Sequence, residues 1–147
     1  MPSTVFHVTG ARPNFPKAAP VLAALAENSA IRQVLIHTGQ HYDDQMSAVF
    51  FRQLGLPHPD VNLGVGPGSH ASQTGAIMMR FEELLAAGHP DMVVVYGDVN
   101  STLAVTLVAA KSGVVGVATT SVGSDAVLLP AFGSEVIDEM LTWLNRS

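Results

Sequence analysis

Residues 91–98 read DMVVVYGD, a run of five apolar residues between two aspartates. A strand with one face in water alternates apolar and polar residues; one that is apolar throughout is covered on both faces. Such strands belong to parallel sheets, whose crossover connections lay helices on either side. This run therefore demands helical neighbours on two faces, and the rest of the chain has the segments to supply them.

STVFHVT (3–9), QVLIHTG (33–39) and VVGVATTSV (114–122) are further strand-like runs, with room for a very short strand at VNL within PHPDVNLGVGPGS (57–69). Pro16, with Pro20 in the first turn, opens a helix through VLAALAEN, since proline is tolerated where the N–H has no helical partner. QMSAVFFRQLG (45–55) has apolar residues at helical spacing and Gly55 as its C-cap. ASQTGAIMMRFEELLAAG (71–88) is a long amphipathic helix closed by Gly88, with Met78 and Met79 in or near the core. Asn100 or Ser101 caps a helix over STLAVTLVAAKSG (101–113), and EVIDEMLTWLN (135–145) makes a last one. Strand and helix alternate, with no internal repeat and no low-complexity linker. The expectation is one domain over residues 1–147: an α/β, doubly wound, Rossmann-like parallel sheet with helices on both faces.

Composition removes several functions. The formal net charge of −5 argues against a nucleic-acid binder, which would show a basic face. There is no cysteine, so neither a disulfide framework nor thiolate chemistry is available, and a cytoplasmic setting is the plain expectation. Arg12 and Pro13 interrupt the first apolar run, so it is not a signal peptide. No stretch approaches the ~18 continuous apolar residues that span a bilayer.

Ligands of open α/β sheets bind at the carboxyl ends of the strands. Three polar loops should share that rim: HVTGARPNFPK, IHTGQHYDD and VVYGDVNST. Of only seven Lys plus Arg, two stand at the first loop, Arg12 and Lys17. Two cations beside a helix start, with its free backbone N–H groups, suit a phosphate or another anion. An Arg12–Asp98 pair serving structure alone is an equal alternative. Asp98, following a buried strand on the ligand rim, is a candidate acid, base or orienting group. Asn100 and Ser101 stand at a helix start, where Ser101 either caps or meets an anion. His41 lies near Asp43 and Asp44, but the spacing fits no zinc pattern, and no metal is expected. His7 and His37 sit inside strands as core histidines. GVGPGS fits neither common phosphate-loop pattern and is a connection.

Together these loops are more specific than any one of them. VTGARPNFPKAAP, IHTGQHYDDQMS, FFRQLGLPHPDVNLGVG, SHASQT and VVYGDVNSTLA resemble the N-terminal domain of the non-hydrolysing UDP-N-acetylglucosamine 2-epimerases, in register from about residue 4 to residue 114. The resemblance implies one half of a two-domain, glycosyltransferase-B-like fold with the active site in the interdomain cleft. It implies interconversion of UDP-GlcNAc and UDP-ManNAc without metal or redox cofactor, by expulsion of UDP, a glycal intermediate and re-addition. It also implies a homo-oligomer. Arg12 and Lys17 match the family's RP…K pair and Asp98 the carboxylate of its GD motif. Gln40, His41 and Gln73 match positions that help bind a second, regulatory UDP-GlcNAc in bacterial members.

After residue 114 the likeness stops. Where the family has an HVEAGLR-type stretch, this chain has Thr120 or Ser121 at the glutamate; where it has PEExNR, SEVIDE keeps only Glu135. The second, UDP-binding domain is expected to be absent, and the isolated chain to be an inactive or incomplete fragment. The alternative is a non-catalytic nucleotide-sugar-binding or interaction domain; a flavodoxin-like or response-regulator domain is disfavoured by the lack of an acidic pocket.

Overall fold

The computed structural model describes residues 2–39, 49, 51–97, 99–114, 116–120 and 142. Strands β1 (Ser3–Thr9), β2 (Ile31–His37), β3 (Val61–Asn62), β4 (Met92–Tyr96) and β5 (Gly116–Thr120) form one sheet in the order β3-β2-β1-β4-β5. Every neighbouring pair is parallel. Helices α1 (Phe15–Ala26), α2 (His70–Gly88) and α3 (Asn100–Lys111) cross over between strands, and residues 51–54 are helical as well. The expected last helix over 135–145 and most of the divergent tail lie outside the described residues.

Side-chain alternation divides the core in two. Val5, Leu35, Met92 and Val94 point to the face covered by α1, where they meet Phe15, Val21 and Leu25. Phe6, Val8, Ile36, Val93 and Val95 point to the other face, where α2 and α3 bring Ile77, Phe81 and Val105. All five residues of β4 are buried, as its unbroken apolar run requires. Burying one such side chain fully contributes roughly 1.5–3 kcal/mol.

Local chemistry corrects several expected boundaries. Pro20 lies inside α1 rather than in its first turn. Pro16 and Pro20 are both exposed, so the carbonyl that loses a helical donor can turn to water. Gly88 is the last residue of α2, and the left-handed residue after it is His89, with φ 42°. Gly88 is needed for another reason: a Cβ there would lie 2.4 Å from the Phe6 ring. Gly55 does take the left-handed conformation, with φ +67°. Met78 packs against the core, whereas Met79 is 66% exposed.

One short recurrence emerges from the contacts. His-Pro-Asp precedes β3 as residues 58–60 and β4 as residues 89–91. Asp60 donates its N–H to Leu35 O and accepts the Leu35 N–H on Oδ2 at 2.7 Å. Asp91 does the same to Thr4 of β1, again with 2.7 Å to Oδ2. Each aspartate extends a parallel ladder by one rung at the N-terminal end of the sheet, satisfying backbone groups that the strand itself does not reach.

Candidate functional site

The sheet order reverses between β1 and β4, so the loops that leave these strands diverge and open a crevice. The loop after β1 holds a 3-10 turn, Arg12–Asn14, that runs directly into α1. Arg12, its first residue, is exposed, and Lys17 is half-buried in the first turn of α1. The loop after β4 turns at Gly97, with φ +81°, and enters α3 at Asn100. Asp98, Gln40 and His41, with Asp43 and Asp44, lie outside the described residues.

Buried polar side chains tie these loops together. Asn14, 2% exposed, accepts the N–H groups of both Gly10 and Ala11 on Oδ1, each at 2.9 Å. Two of the backbone donors expected to be free for an anion at this turn are thus already engaged. Ser101, also 2% exposed, is neither the N-cap nor an open hydroxyl. The N-cap is Val99, and the Ser101 hydroxyl lies 2.9 Å from Thr38 Oγ1, fastening α3 to the end of β2. Gly10 lets the two approach, because a Cβ on it would sit 2.2 Å from Ser101 Oγ. Thr102 donates to Gly97 O at 2.8 Å and so holds the turn after β4.

A second polar group joins α2 to α3 beside the crevice. Asn100 Nδ2 donates to Gln73 Oε1 at 3.1 Å, and the Asn100 amide lies against His70 Nδ1. Gln73 in turn donates to Gly66 O at 3.2 Å. Two separately expected residues, Gln73 and Asn100, therefore touch, with His70 as an unforeseen third. The connection through GVGPGS is anchored as well: Val65 is buried and donates its N–H to Thr38 O.

The two strand histidines are buried, as expected. His37 accepts the Gly39 N–H on Nδ1 at 2.8 Å and stacks on Phe15; burial lowers its pKa to about 4. His7 Nδ1 lies 2.8 Å from the Tyr96 hydroxyl, and burial lowers its pKa to about 4, with the Gln33 side chain acting in the opposite direction. Burial pushes the Tyr96 phenol up, so it keeps its proton. His7 Nε2 and Gln33 Oε1 otherwise lack hydrogen-bond partners. The tautomer with the proton on Nε2 faces it toward Gln33 and leaves Nδ1 to accept from Tyr96. Both imidazoles are neutral core groups at pH 7. Among the described residues no group of three His, Asp or Glu could hold a metal ion, and no helix is long and apolar enough to cross a membrane.

Asn14, Thr38 and His70 are site residues that sequence reasoning missed. The signal for Asn14 was its place between two prolines at the end of a β1 turn, where a short amide can fold back onto the preceding N–H groups.

Comparison with known proteins gives this geometry a lineage. The sequence model of a family described as UDP-N-acetylglucosamine 2-epimerase matches residues 23–118. A UDP-2,3-diacetamido-2,3-dideoxy-D-glucuronate 2-epimerase of Pseudomonas aeruginosa is 44% identical over 107 residues, 73% of this chain and 30% of its own length. A UDP-N-acetylglucosamine 2-epimerase of Methanocaldococcus jannaschii is 44% identical over 104 residues, 71% of this chain and 28% of its own. The chain therefore spans about 30% of the length of the curated relatives it matches. The crystal structure of the M. jannaschii UDP-GlcNAc 2-epimerase in complex with UDP-GlcNAc and UDP superposes with a TM-score of 0.74 at 40% identity, over 80% of this chain and 32% of that one. The Neisseria meningitidis enzyme bound to UDP-GlcNAc gives 0.73 at 26% identity, over 84% and 33%.

Proposed function

The chain belongs to the UDP-N-acetylglucosamine 2-epimerase family, and from that premise we propose that its residues form the N-terminal half of the active site of an enzyme interconverting UDP-GlcNAc and UDP-ManNAc. The observation that carries this reading is the junction of the β1 and β4 loops at the reversal of strand order. It sets the Arg12 turn beside the Gly97 turn, one residue before Asp98.

The chemistry explains what such a rim must do. The C2 hydrogen of the sugar has no neighbouring carbonyl to acidify it, so direct removal is slow. Elimination of UDP with loss of that proton gives a glycal, and re-addition of UDP with a proton to the opposite face of C2 completes inversion. Arg12 and Lys17 stabilise the negative charge that builds on the departing diphosphate. Asp98 is placed in this reading as a proton-handling carboxylate. Gln73 and Asn100 bind nucleotide sugar at the neighbouring α2–α3 junction, with Gln40 and His41 as further members. Ser101 serves by holding α3 in place. No metal or cofactor enters the scheme. A single described domain, a cytoplasmic setting and self-association are parts of the same reading. Exposed Leu103, Leu107 and Met79 on α3 and α2 offer the apolar surface for association; a clean monomer by light scattering at high concentration would remove that part.

A second sugar is favoured by the Pseudomonas relative, whose substrate is named as a diacetamido glucuronate. One experiment separates the two. The chain is assayed in D₂O alone and joined after residue 114 to the remaining C-terminal segment of the M. jannaschii enzyme, with each sugar nucleotide in turn. The expected result is no C2 exchange by the chain alone, and C2-deuterated UDP-ManNAc from the hybrid, lost on Arg12→Ala and Asp98→Asn. Exchange with the diacetamido glucuronate alone would transfer the assignment to that substrate. A folded hybrid inert toward both would refute the proposal.

A further inference from the structure

Many β–α turns that hold a diphosphate do so with successive backbone N–H groups at the start of the helix. In this chain four of those donors are turned inward, those of Gly10, Ala11, Asn14 and Phe15. Asn14 Oδ1 accepts from Gly10 and Ala11 together. The N–H of Asn14 goes to Ala11 O, and that of Phe15 to Arg12 O. Pro13 and Pro16 have no N–H to offer.

The other end of the same side chain reaches across the crevice. Asn14 Nδ2 packs against Gly97, so closely that a Cβ on Gly97 would stand 2.6 Å from it. Neither group can give way easily. Asn14 is buried and held at Oδ1 by two hydrogen bonds, while Gly97 has φ +81° and its carbonyl is held by Thr102.

We infer that Asn14 is a positioning residue that takes, inside the β1 turn, the place a ligand phosphate takes in a glycine-rich turn, and thereby locks the Arg12 loop to the Gly97 loop. Its carboxamide oxygen organises the first loop and its nitrogen meets the second. The diphosphate is consequently gripped by side chains, Arg12 and Lys17, rather than by the backbone of this turn. This inference rests on the anion-binding reading of that rim.

The test uses the whole chain, ¹⁵N-labelled, with inorganic pyrophosphate as the probe, in wild type, Asn14→Ala and Asn14→Asp. In Asn14→Ala the amide signals of Gly10, Ala11 and Gly97 should all move, although Gly97 is remote in sequence, and pyrophosphate affinity should fall about tenfold or more at temperatures where circular dichroism shows an intact fold. Asn14→Asp keeps the acceptor and loses the amide nitrogen, so Gly10 and Ala11 should keep their protection from hydrogen exchange while the Gly97 signal moves. Equal or tighter binding by a folded Asn14→Ala would mean that the freed backbone donors serve the anion, and would overturn the inference. So would an unmoved Gly97 signal in either variant. If Asn14→Ala does not fold, the Asp variant decides, with an unmoved Gly97 signal counting against. Wild type that ignores pyrophosphate would instead remove the anion reading of Arg12 and Lys17, while the Gly97 signal still decides whether Asn14 couples the loops.

Discussion

Asp60 and Asp91 close the N-terminal end of the sheet with one repeated pair of hydrogen bonds, whereas at the opposite end the Asn14 carboxamide and the Thr38–Ser101 hydroxyl pair are fastenings of two different kinds. The first end solves a generic problem, the start of a parallel strand, and uses the same three residues twice. The second end must hold loops of different length and course around a crevice, so each loop has its own fastening. Tolerance should follow the same division: the repeated device can lose one member and keep the sheet, while the crevice end depends on single close contacts.

The severest test of that contrast is Gly10→Ala. Its Cβ would lie 2.2 Å from Ser101 Oγ and 2.9 Å from Ser101 Cβ. Because Ser101 is buried and bonded to Thr38, it cannot swing away. The expected loss is about 3 kcal/mol or more by urea unfolding, at the upper end of overpacking costs. Adding Ser101→Gly should recover part of it; no recovery would place the strain elsewhere.

Acid should load the crevice end through His37, at the close of β2, and the sheet centre through His7. Both have folded pKa values lowered from 6.5 to about 4. A histidine whose folded pKa is depressed binds its proton more readily when unfolded, so stability falls as pH drops from about 6.5 toward 4. The contribution is on the order of 3 kcal/mol for each imidazole. Unfolding free energy measured across this window should carry a slope of up to about two protons from the pair, reduced by about one in His37→Gln. A slope unchanged by that substitution would break the assignment.

Removing a strand-start carboxylate should cost less. Asp91→Ala leaves the Thr4 N–H of the central strand without its acceptor, and Asp60→Ala does so for Leu35 beside the short β3. About 1–3 kcal/mol is expected for Asp91→Ala, and less for Asp60→Ala because Asp60 is more exposed. Neither should alter pyrophosphate binding; an effect on binding would blur the division between the two ends. At the small extreme, Gly75→Ala meets nothing within 4 Å in the interior of α2 and should stabilise by about 0.5–1 kcal/mol in a thermal melt.

Much of this was legible in sequence, and what was not has a common physical cause. The covered strand MVVVY, the parallel architecture and the family motifs all rest on patterns within one segment. The roles of Asn14, Thr38 and Gly88 rest on what another segment brings to them: Gly97, Ser101 and the Phe6 ring. Ser101 was expected at a cap because serine at a helix start usually caps. Burial against Thr38 redirected its hydroxyl, and only the parallel pairing of β2 with β1 puts Thr38 there. The doubled His-Pro-Asp passed unnoticed because its meaning lies in the neighbouring strand, not in its own spacing.

In the function proposed above, nucleotide sugar meets this chain at the reversal of strand order. The most direct measurement is a ¹⁵N amide map of the chain titrated with UDP-GlcNAc. The predicted result is movement confined to residues 10–17, 40–41, 66–73 and 97–102, with residues 58–61 and 89–92 unmoved. Movement centred on the two His-Pro-Asp stretches, or no movement at saturating UDP-GlcNAc, would contradict it.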